Sequence, residues 1–485
     1  MDKSAKPPPL IAALLDWARQ EYGASTVELL ETHISWVLLA GDYAYKIKKP
    51  VVLPFVDYSS LEARRIFCEK ELALNSRYAP DLYLETVPIG GSVEAPRLGV
   101  RPAIEWAVEM ARFDEKWRLD HVCDRGDLTP PLISDLILTV VDFHRRAAPA
   151  PPESRFGEPA QILKPALENF EELYKFLPSD KPVLASLEEW TRREFGRRRA
   201  NFEDRKAAGR VRECHGDMHL KNIVLLNGKP TPFDCIEFND DFRWIDQANE
   251  LAFIYEDLLE HRRPGLANWL ISEWLAATGD FDILNVLPFY STYRSLVRTK
   301  VAAIRGDFAE AHEYLEIAGR LCCRRQPSLT ITFGLSGSGK TTSSAARLLA
   351  DQTANMVRIR SDVERKRLFG LAPGEASEGN IYTPEATGAT YRQLKEFARG
   401  ALTAGWSVIV DAAFLKRTQR RNFQTLAANM HLPFAILACE ASPDELRRRL
   451  AARRNDASEA TLKVLESQME WAEELTDEER ICVQS

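Results

Sequence analysis

The sequence has no excess of basic residues and no long apolar run. Lys and Arg total 64 against 71 Asp and Glu, a formal charge of −7, which disfavours a dedicated nucleic-acid binder but not a local basic patch. No apolar stretch approaches the length that spans a bilayer. The short apolar run near the start contains Asp16 and lacks the cleavage site of a signal peptide. We therefore expect a cytoplasmic protein without a membrane partner.

The sequence also lacks any C-x-x-C pair. Its eight cysteines are scattered, apart from the adjacent Cys322 and Cys323, so neither a disulfide framework nor a zinc finger is indicated. What is present is typical of a globular protein, with 45% hydrophobic and 28% charged residues. At roughly 150 residues per domain, the length predicts about three compact units.

The pattern of hydrophobic and polar residues changes twice along the chain. Short β-like runs at 36–39 and 44–47 precede a helical segment at 61–77, and the region from about 101 to 325 has a mostly helical pattern. Asn227-Gly228 between apolar runs predicts a hairpin there. After Pro327, strands alternate with helices, which predicts a parallel α/β sheet. We expect units at 1–105, 106–326 and 327–485.

The segment His215-Gly-Asp-Met-His-Leu-Lys-Asn222 has the spacing of a kinase catalytic loop, and Asp234 follows the predicted hairpin. Asp217 fits the carboxylate that orients an acceptor hydroxyl and accepts its proton. Asn222 and Asp234 fit oxygen ligands of Mg²⁺. A loop with a capping Asp is the alternative for the triplet alone. A zinc pair of His215 and His219 is disfavoured, because the pattern is not H-E-x-x-H.

These residues resemble the aminoglycoside phosphotransferase-like kinases, whose catalytic loop has the form H-G-D-x-H-x-x-N. The resemblance covers about residues 30 to 320 and implies a small β-rich lobe, a larger helical lobe and ATP between them, as in protein kinases. It also implies an ATP-anchoring lysine, for which we choose Lys46 over Lys48, and a helix glutamate, for which we prefer Glu71 to Glu69. Surface charges on a strand and a helix are the alternative.

The sequence departs from the wider kinase pattern at two places. No G-x-G-x-x-G loop precedes Lys46, and Asp234 is followed by Cys-Ile-Glu instead of Phe-Gly. Four charged residues then follow that fit either a metal or substrate site or a structural ion-pair network: Glu237, Asp240, Arg243 and Asp246.

A second phosphate-binding pattern follows an apolar run at 329–333. The string G-x-x-x-x-G-K-T between a predicted strand and a predicted helix is a P-loop, whose backbone N–H groups and lysine bind phosphates. Thr341 also fits a Mg²⁺ ligand. The residues expected to bind the nucleotide are Gly334, Gly337, Gly339, Lys340, Thr341 and Thr342.

Two carboxylates follow the next two predicted strands, Asp362 after 356–360 and Asp411 at the end of 407–411. A carboxylate there faces the γ-phosphate and can accept a proton from an acceptor hydroxyl. This half resembles the P-loop kinases related to gluconate kinase, polynucleotide 5′-kinase and the zeta toxins. By that resemblance Asp362 is the base, Arg365 contacts a substrate anion and Asp411 is a metal or substrate-side carboxylate. Helix N-capping is the alternative for both aspartates.

A basic helix at 446–454 lies where such kinases have a lid, whose arginines neutralise the transferring phosphate. Arg449 and Arg453, four residues apart on one face, are the candidates for this substrate-binding role. A solvated basic face is the alternative, as it is for the run 192–199. Beyond the last predicted strand, at 481–485, little chain remains for an adenine-binding loop.

Together these patterns predict a protein-kinase-like bilobal α+β domain followed by an α/β P-loop domain with a parallel sheet. Each domain is expected to use ATP and Mg²⁺ to phosphorylate a small hydroxylated substrate. Action of the P-loop half on nucleic-acid 5′-hydroxyls or nucleotide sugars is a less favoured alternative, and regulation of one half by the other is a third. The patterns leave the acceptors and the oligomeric state open.

Overall fold

The computed structural model describes residues 6–53, 56–323, 326–377, 381–452 and 462–484. The chain begins with a small lobe in which two helices pack on antiparallel strands. Its helices are α1 (Pro9–Tyr22) and α2 (Leu61–Asn75), and its strands are β1 (Val27–Glu31), β2 (Ser35–Ala40), β3 (Tyr43–Lys48), β4 (Val52–Leu53), β5 (Val56–Asp57), β6 (Tyr83–Gly91), β7 (Pro96–Leu98) and β8 (Ala103–Ala111).

Six of these strands form one sheet in the order β1-β2-β3-β8-β6-β7. Helix α2 starts where the Ser60 hydroxyl accepts a hydrogen bond from the Ala63 N–H at 3.0 Å, and it turns Cys68, Glu71 and Leu74 inward. Glu71 is thereby placed against β3.

The expectation of a helical pattern from residue 101 onward is wrong for β8. This strand runs to Ala111 and pairs with both β3 and β6, so the expected boundary at 105 falls inside a strand. Its Ala, Glu and Met residues favour helix locally, but pairing on both sides and burial of Trp106 and Val108 decide the outcome.

The large lobe is mainly helical. It contains α3 (Leu119–Asp124), α4 (Pro130–Arg146), α5 (Pro159–Phe176), α6 (Lys181–Ala207), β9 (Val211–Glu213), β10 (Ile223–Leu226), β11 (Lys229–Pro232), α7 (Asp240–Arg243), β12 (Trp244–Asp246), α8 (Gln247–Glu260), α9 (Pro264–Thr278), α10 (Ile283–Arg305) and α11 (Phe308–Cys322). The basic run 192–199 lies on α6, where Arg192 pairs with Glu188 at 2.7 Å and Arg199 pairs with Glu203 at 3.0 Å. These i,i+4 pairs fit a solvated helix face.

The predicted hairpin is the pair β10–β11, and Asn227 and Gly228 both have positive φ, 51° and 79°, as a type I′ turn requires. The hairpin returns the chain so that the Phe233 N–H donates to the Asn222 carbonyl at 2.9 Å. This contact brings Asp234, the next residue, close to Asn222, although the two are twelve positions apart in sequence.

The last unit is a P-loop α/β domain. It comprises β13 (Leu329–Phe333), α12 (Lys340–Ala350), β14 (Met356–Arg360), α13 (Ser361–Leu368), α14 (Pro384–Thr403), β15 (Ser407–Asp411), α15 (Arg417–Asn429), β16 (Phe434–Ala438), α16 (Pro443–Ala452), α17 (Leu462–Trp471), α18 (Asp477–Ile481) and β17 (Val483–Gln484). Its strands are parallel in the order β14-β15-β13-β16-β17. Within the described ranges, every helix is too short or too polar to cross a bilayer.

Helix α9 of the large lobe lies along β14, the edge strand of this parallel sheet. The Asn268 side-chain oxygen accepts the Met356 N–H at 3.0 Å, and the Ser272 hydroxyl accepts the Arg358 N–H at 3.0 Å. A Cβ at Gly265 would lie 2.0 Å from the Leu349 carbonyl oxygen of α12, so only glycine lets α9 approach α12 this closely. The helix thus covers a sheet edge that would otherwise be open, and one hydrophobic core continues through both units.

Candidate functional sites

The catalytic-loop segment is held by two buried carboxylates of α8. Glu250 accepts the N–H groups of His215 and Gly216 at 2.7 and 2.8 Å, and Asp257 accepts the Leu220 N–H at 2.7 Å. Charge-assisted bonds of this kind are short and strong. Helix α8 therefore fixes the backbone on both sides of Asp217.

The His215 ring also holds the catalytic-loop backbone by hydrogen bonds. Its Nε2 donates to the Phe233 carbonyl at 2.8 Å, and its Nδ1 accepts the Asp217 N–H at 3.3 Å. Burial lowers the pKa of His215, which keeps the ring neutral and suits one donor and one acceptor. Both nitrogens are committed to the backbone, so the geometry gives no support to a zinc pair with His219.

Asp217 lies among hydrogen-bonding and cationic groups. The Asn222 amide nitrogen donates to the Asp217 carbonyl at 3.0 Å and to its carboxylate at 3.2 Å, and His219 Nε2 lies 3.4 Å from the same carboxylate. Burial alone would raise the pKa of Asp217, but His219 and Arg298 outweigh it and hold that pKa below its usual value. The carboxylate is therefore ionised at neutral pH and able to accept a proton.

Lys46 joins the two lobes at this site. Its Nζ lies 2.7 Å from Glu71 and also contacts the Asp234 carboxylate. Burial would lower the pKa of Lys46, but Asp234 and Glu71 raise it well above its usual value. Asp234 has φ 65°, uncommon for a residue other than glycine, and its N–H donates to the Tyr83 hydroxyl at 3.0 Å.

Lys48 differs from Lys46 in depth. Its Nζ lies 2.6 Å from Glu71 and contacts Glu237, and its side chain is 0% exposed, against 12% for Lys46. Glu69, the other glutamate considered, pairs with Arg65 at 2.5 Å on the exposed side of α2. The arrangement thus brings Lys46 to the cleft and leaves Lys48 inside the lobe.

The four charged residues after Asp234 form ion pairs with the surrounding scaffold. Glu237 accepts from the Tyr58 hydroxyl at 2.6 Å, besides its contact with Lys48. The guanidinium of Arg243 pairs with Asp240 at 2.7 Å and with Glu213 at 3.2 Å. Asp246 pairs with the buried Arg205 at 2.8 Å. These contacts fit the structural alternative for this group.

The donor set beside Asp217 fits a hard divalent cation. The nitrogen of the Asn222 amide is turned to Asp217, which leaves its oxygen available, and the Asp234 side chain is 43% exposed. Amide and carboxylate oxygens are ligands that suit Mg²⁺.

In the second unit, the P-loop connects β13 to α12. Gly334 has φ 147°, and a Cβ there would lie 2.3 Å from the Cys439 carbonyl oxygen. Gly337 and Gly339 also have positive φ, 85° and 95°. Lys340 Nζ donates to the Leu335 carbonyl at 2.8 Å, and the residues after it, Thr341 and Thr342, form the first turn of α12. The loop therefore has the strand-to-helix setting that the motif requires.

The two aspartates lie at the same edge of the parallel sheet. Asp411 is in register with Arg360, the last residue of β14, and Asp362 follows in the first turn of α13. Ser344 donates to the Asp411 carboxylate at 3.1 Å, which ties Asp411 to the P-loop helix. Neither aspartate occupies a helix cap position, because α13 is capped at Arg360 and the helix after Asp411 is capped at Lys416.

The arginines expected to bind substrate are placed differently from one another. Arg365 donates to the Ile381 carbonyl at 3.0 Å and to Thr387 at 3.2 Å, so it holds segments of its own unit. Arg449 pairs with Glu445 at 2.6 Å and reaches the Gly337 carbonyl of the P-loop at 3.4 Å. Arg453 lies outside the described residues.

The sequence patterns did not identify several residues of both sites. Glu250 and Asp257 support the catalytic loop, while Arg358 donates to the Thr341 carbonyl at 3.2 Å and Gln468 accepts the Ser336 N–H at 2.8 Å. Acidic residues within the otherwise apolar run of α8 were a usable sequence signal for the first two. Nothing in the local pattern distinguishes Gln468, because its contact depends on where α17 packs.

Comparisons with known proteins found the following similarities. A family model described as an AAA domain matches residues 329–475. Solved structures with similarity include choline kinase from Cryptosporidium parvum Iowa II, 10% identical with a TM-score of 0.39, covering 64% of this chain and 94% of that one. The aminoglycoside phosphotransferase APH(4)-Ia is 13% identical with a TM-score of 0.38, covering 64% of this chain and 98% of that one.

Similarity over nearly the whole length is found in mycobacteria. "Uncharacterized protein Rv2004c" from Mycobacterium tuberculosis (strain ATCC 25618 / H37Rv) is 30% identical over 455 residues, which are 90% of this chain and 88% of that protein. "Uncharacterized protein Mb2027c" from Mycobacterium bovis matches to the same extent. The chain thus combines residues in the spacing of a kinase catalytic loop with a P-loop inside the matched AAA domain. It belongs to the same two-unit family as these mycobacterial proteins.

Proposed function

We propose that the protein is a bifunctional phosphotransferase, with one ATP-dependent site in the bilobal unit, 1–326, and a second in the P-loop unit, 327–485. The observation that carries the first site is the contact of Lys46 with both Glu71 and Asp234, since it joins the small lobe to the segment that bears Asp217 and Asn222. In this proposal Lys46 binds the α- and β-phosphates and Glu71 holds its side chain in place.

At the first site Asp217 orients the acceptor hydroxyl and takes its proton. The hydroxyl oxygen forms a bond to the γ-phosphorus, the bond from that phosphorus to the bridging oxygen of ADP breaks, and ADP leaves with the electron pair. Asn222 and Asp234 would hold Mg²⁺, which neutralises phosphate charge when bound. A small hydroxylated metabolite, such as a sugar or an aminoglycoside-like compound, is the proposed acceptor.

At the second site Lys340 and the loop glycines bind the phosphates of another ATP. Thr341 and Asp411 would hold Mg²⁺, and the tie from Ser344 to Asp411 supports this placement. Asp362, which lies just after the end of β14, accepts the proton of the acceptor hydroxyl. Arg449 contributes positive charge over the P-loop, which its contact with the Gly337 carbonyl supports.

The test is acceptor-dependent ADP release by the wild type, Asp217→Asn and Lys340→Ala. The panel contains simple sugars, aminoglycosides, nucleosides and 5′-hydroxyl RNA. We expect each variant to lose turnover of a different acceptor, by about a hundredfold or more. Glu171→Gln, on the exposed side of α5, is the control and should match the wild type. RNA turnover lost in Lys340→Ala would assign the P-loop unit to nucleic-acid ends instead.

A regulatory role for one unit is the second candidate, and the continuous core between the units favours it. In that case nucleotide binding at one site alters turnover at the other. Both variants would then abolish the same activity, or one site would bind ATP without acceptor-dependent ADP release, and the proposal of two independent kinases would fail.

A further inference from the structure

Arg294 of α10 is a buried cation for which the described part of the chain supplies no ion pair. The residue is 6% exposed, and its buried Nε has no hydrogen-bond partner among the described residues. Among the described residues no ion pair or hydrogen bond engages its guanidinium, which instead stacks on Phe253 with Cζ 3.7 Å from the ring centroid. Burying a charge without a partner is costly, so the residue needs another explanation.

The neighbouring Arg298, one helical turn along α10, has the protein partners that a buried arginine needs. It donates to the Tyr314 hydroxyl at 2.7 and 3.1 Å and lies 4.0 Å from Asp257. The fold therefore supplies partners for Arg298 from the protein itself. Within the described ranges it supplies none of comparable quality for Arg294.

Two side chains, Phe253 and His219, connect Arg294 to Asp217, the proposed catalytic base. Phe253, on which it stacks, faces the ring of His219 at 6.4 Å between centroids, and His219 Nε2 lies 3.4 Å from the Asp217 carboxylate. Burial lowers the pKa of Arg294, and the nearby charges of Asp217 and Glu250 oppose that shift. His219 Nδ1 is a second buried polar atom without a partner in the described part of the chain.

We infer that the acceptor of the first site carries an oxyanion, a carboxylate or a phosphate group, which pairs with Arg294 while the acceptor hydroxyl faces Asp217. The inference rests on the proposed function of that site. A guanidinium presents a planar fork of donors that matches either oxyanion. The same charge repels polycationic acceptors, so anionic hydroxyl compounds are favoured over aminoglycosides.

The experiment compares matched acceptors in a Lys340→Ala background, where ADP release reports the first site. The pairs are glucose with gluconate, glycerol with glycerate, and ribose with ribose 5-phosphate, and kanamycin represents a polycation. Each is measured with Arg294 intact, with Arg294→Met, and with Arg305→Met, a control at the exposed end of the same helix, where Arg305 pairs with Glu310.

We expect turnover only with anionic members and a rise in their KM of about tenfold or more in Arg294→Met, with the KM for ATP unchanged. Arg294→Met should melt no lower than the parent, because Met packs on Phe253 and the unpaired charge is gone. A purely structural arginine would give the opposite result: a lower melting temperature and unchanged acceptor preference.

A binding measurement decides the inference even when no panel member is turned over. This measurement uses the chain with Lys340 intact. Both nucleotide sites are filled with a non-hydrolysable ATP analogue, and inorganic phosphate is added at constant ionic strength. Phosphate should raise the melting temperature of the wild type and not that of Arg294→Met, and an equal shift in both overturns the inference. Turnover of neutral or cationic acceptors also overturns the inference but leaves the proposed function standing. If the first site of the wild type binds no ATP, the proposed function itself is overturned.

Discussion

At the scale of single residues, two lysines two positions apart on one strand have different surroundings. Lys46 contacts Asp234 at the cleft, whereas Lys48 is sealed between Glu71 and Glu237. We predict that Lys46→Met abolishes turnover at the first site with a modest loss of stability, since Glu71 retains its ion pair with Lys48. Lys48→Met should lower the free energy of unfolding by about 3–5 kcal/mol, because it leaves two buried carboxylates with one cation fewer.

Acceptor-dependent ADP release and denaturant unfolding of the two variants separate these effects. Lys70→Met, which removes a partly exposed lysine of α2 that pairs with Asp240, serves as the control. A stable Lys48→Met protein that has lost turnover would instead assign the phosphate-binding role to Lys48.

At the scale of elements, α8 carries several carboxylates below the catalytic loop. Glu250 and Asp257 accept backbone N–H groups, but Glu256 is 1% exposed and its Oε1 lacks a partner within the described residues. Burial raises the pKa of Glu256 well above 4.5, opposed by Arg298 and reinforced by Asp257 and Glu260. The folded protein therefore favours the protonated form of this side chain.

A raised pKa in the folded state stabilises the protein fully below pH 4.5, and that stabilisation is lost as the pH rises towards the folded-state value. We predict that Glu256→Gln, which is neutral at every pH, melts above the wild type at pH 8 and close to it near pH 4.5. Melting curves from pH 4.5 to 8 measure the difference, with Glu171→Gln as the exposed control. A difference that does not grow with pH would contradict a raised pKa of Glu256 in the folded protein.

At the scale of the whole molecule, the contact of α9 with β14 makes the two units one packed body. We predict that Asn268→Leu speeds amide exchange at Met356, whose N–H loses its acceptor, by about tenfold or more. Hydrogen exchange of the segment 356–360, read by mass spectrometry, is the measurement. Asn429→Leu, on the exposed face of α15, should leave that segment unchanged. Equal exchange in both variants would show that α9 does not protect the sheet edge.

The sequence determined the parts of this protein that depend on local spacing. The P-loop works within eight residues, and the hairpin at Asn227-Gly228 brings Asn222 beside Asp234 through a turn that two residues specify. Strands with buried apolar runs, such as β13 and β15, were predicted for the same reason. The roles of the individual site residues stay predictions that the proposed variants test.

Only the tertiary structure decided the features that depend on distant partners. Residues 103–111 became a strand because β3 and β6 lie on either side of them. Lys46 and Lys48 differ in burial. The alternating pattern of a strand does not show this difference, because it places both residues on the same face. Arg294 and Arg298 are alike in sequence, and only packing gave one a tyrosine and left the other on a phenylalanine ring. Burial and pairing are properties of the folded chain, because they arise from residues far apart in sequence.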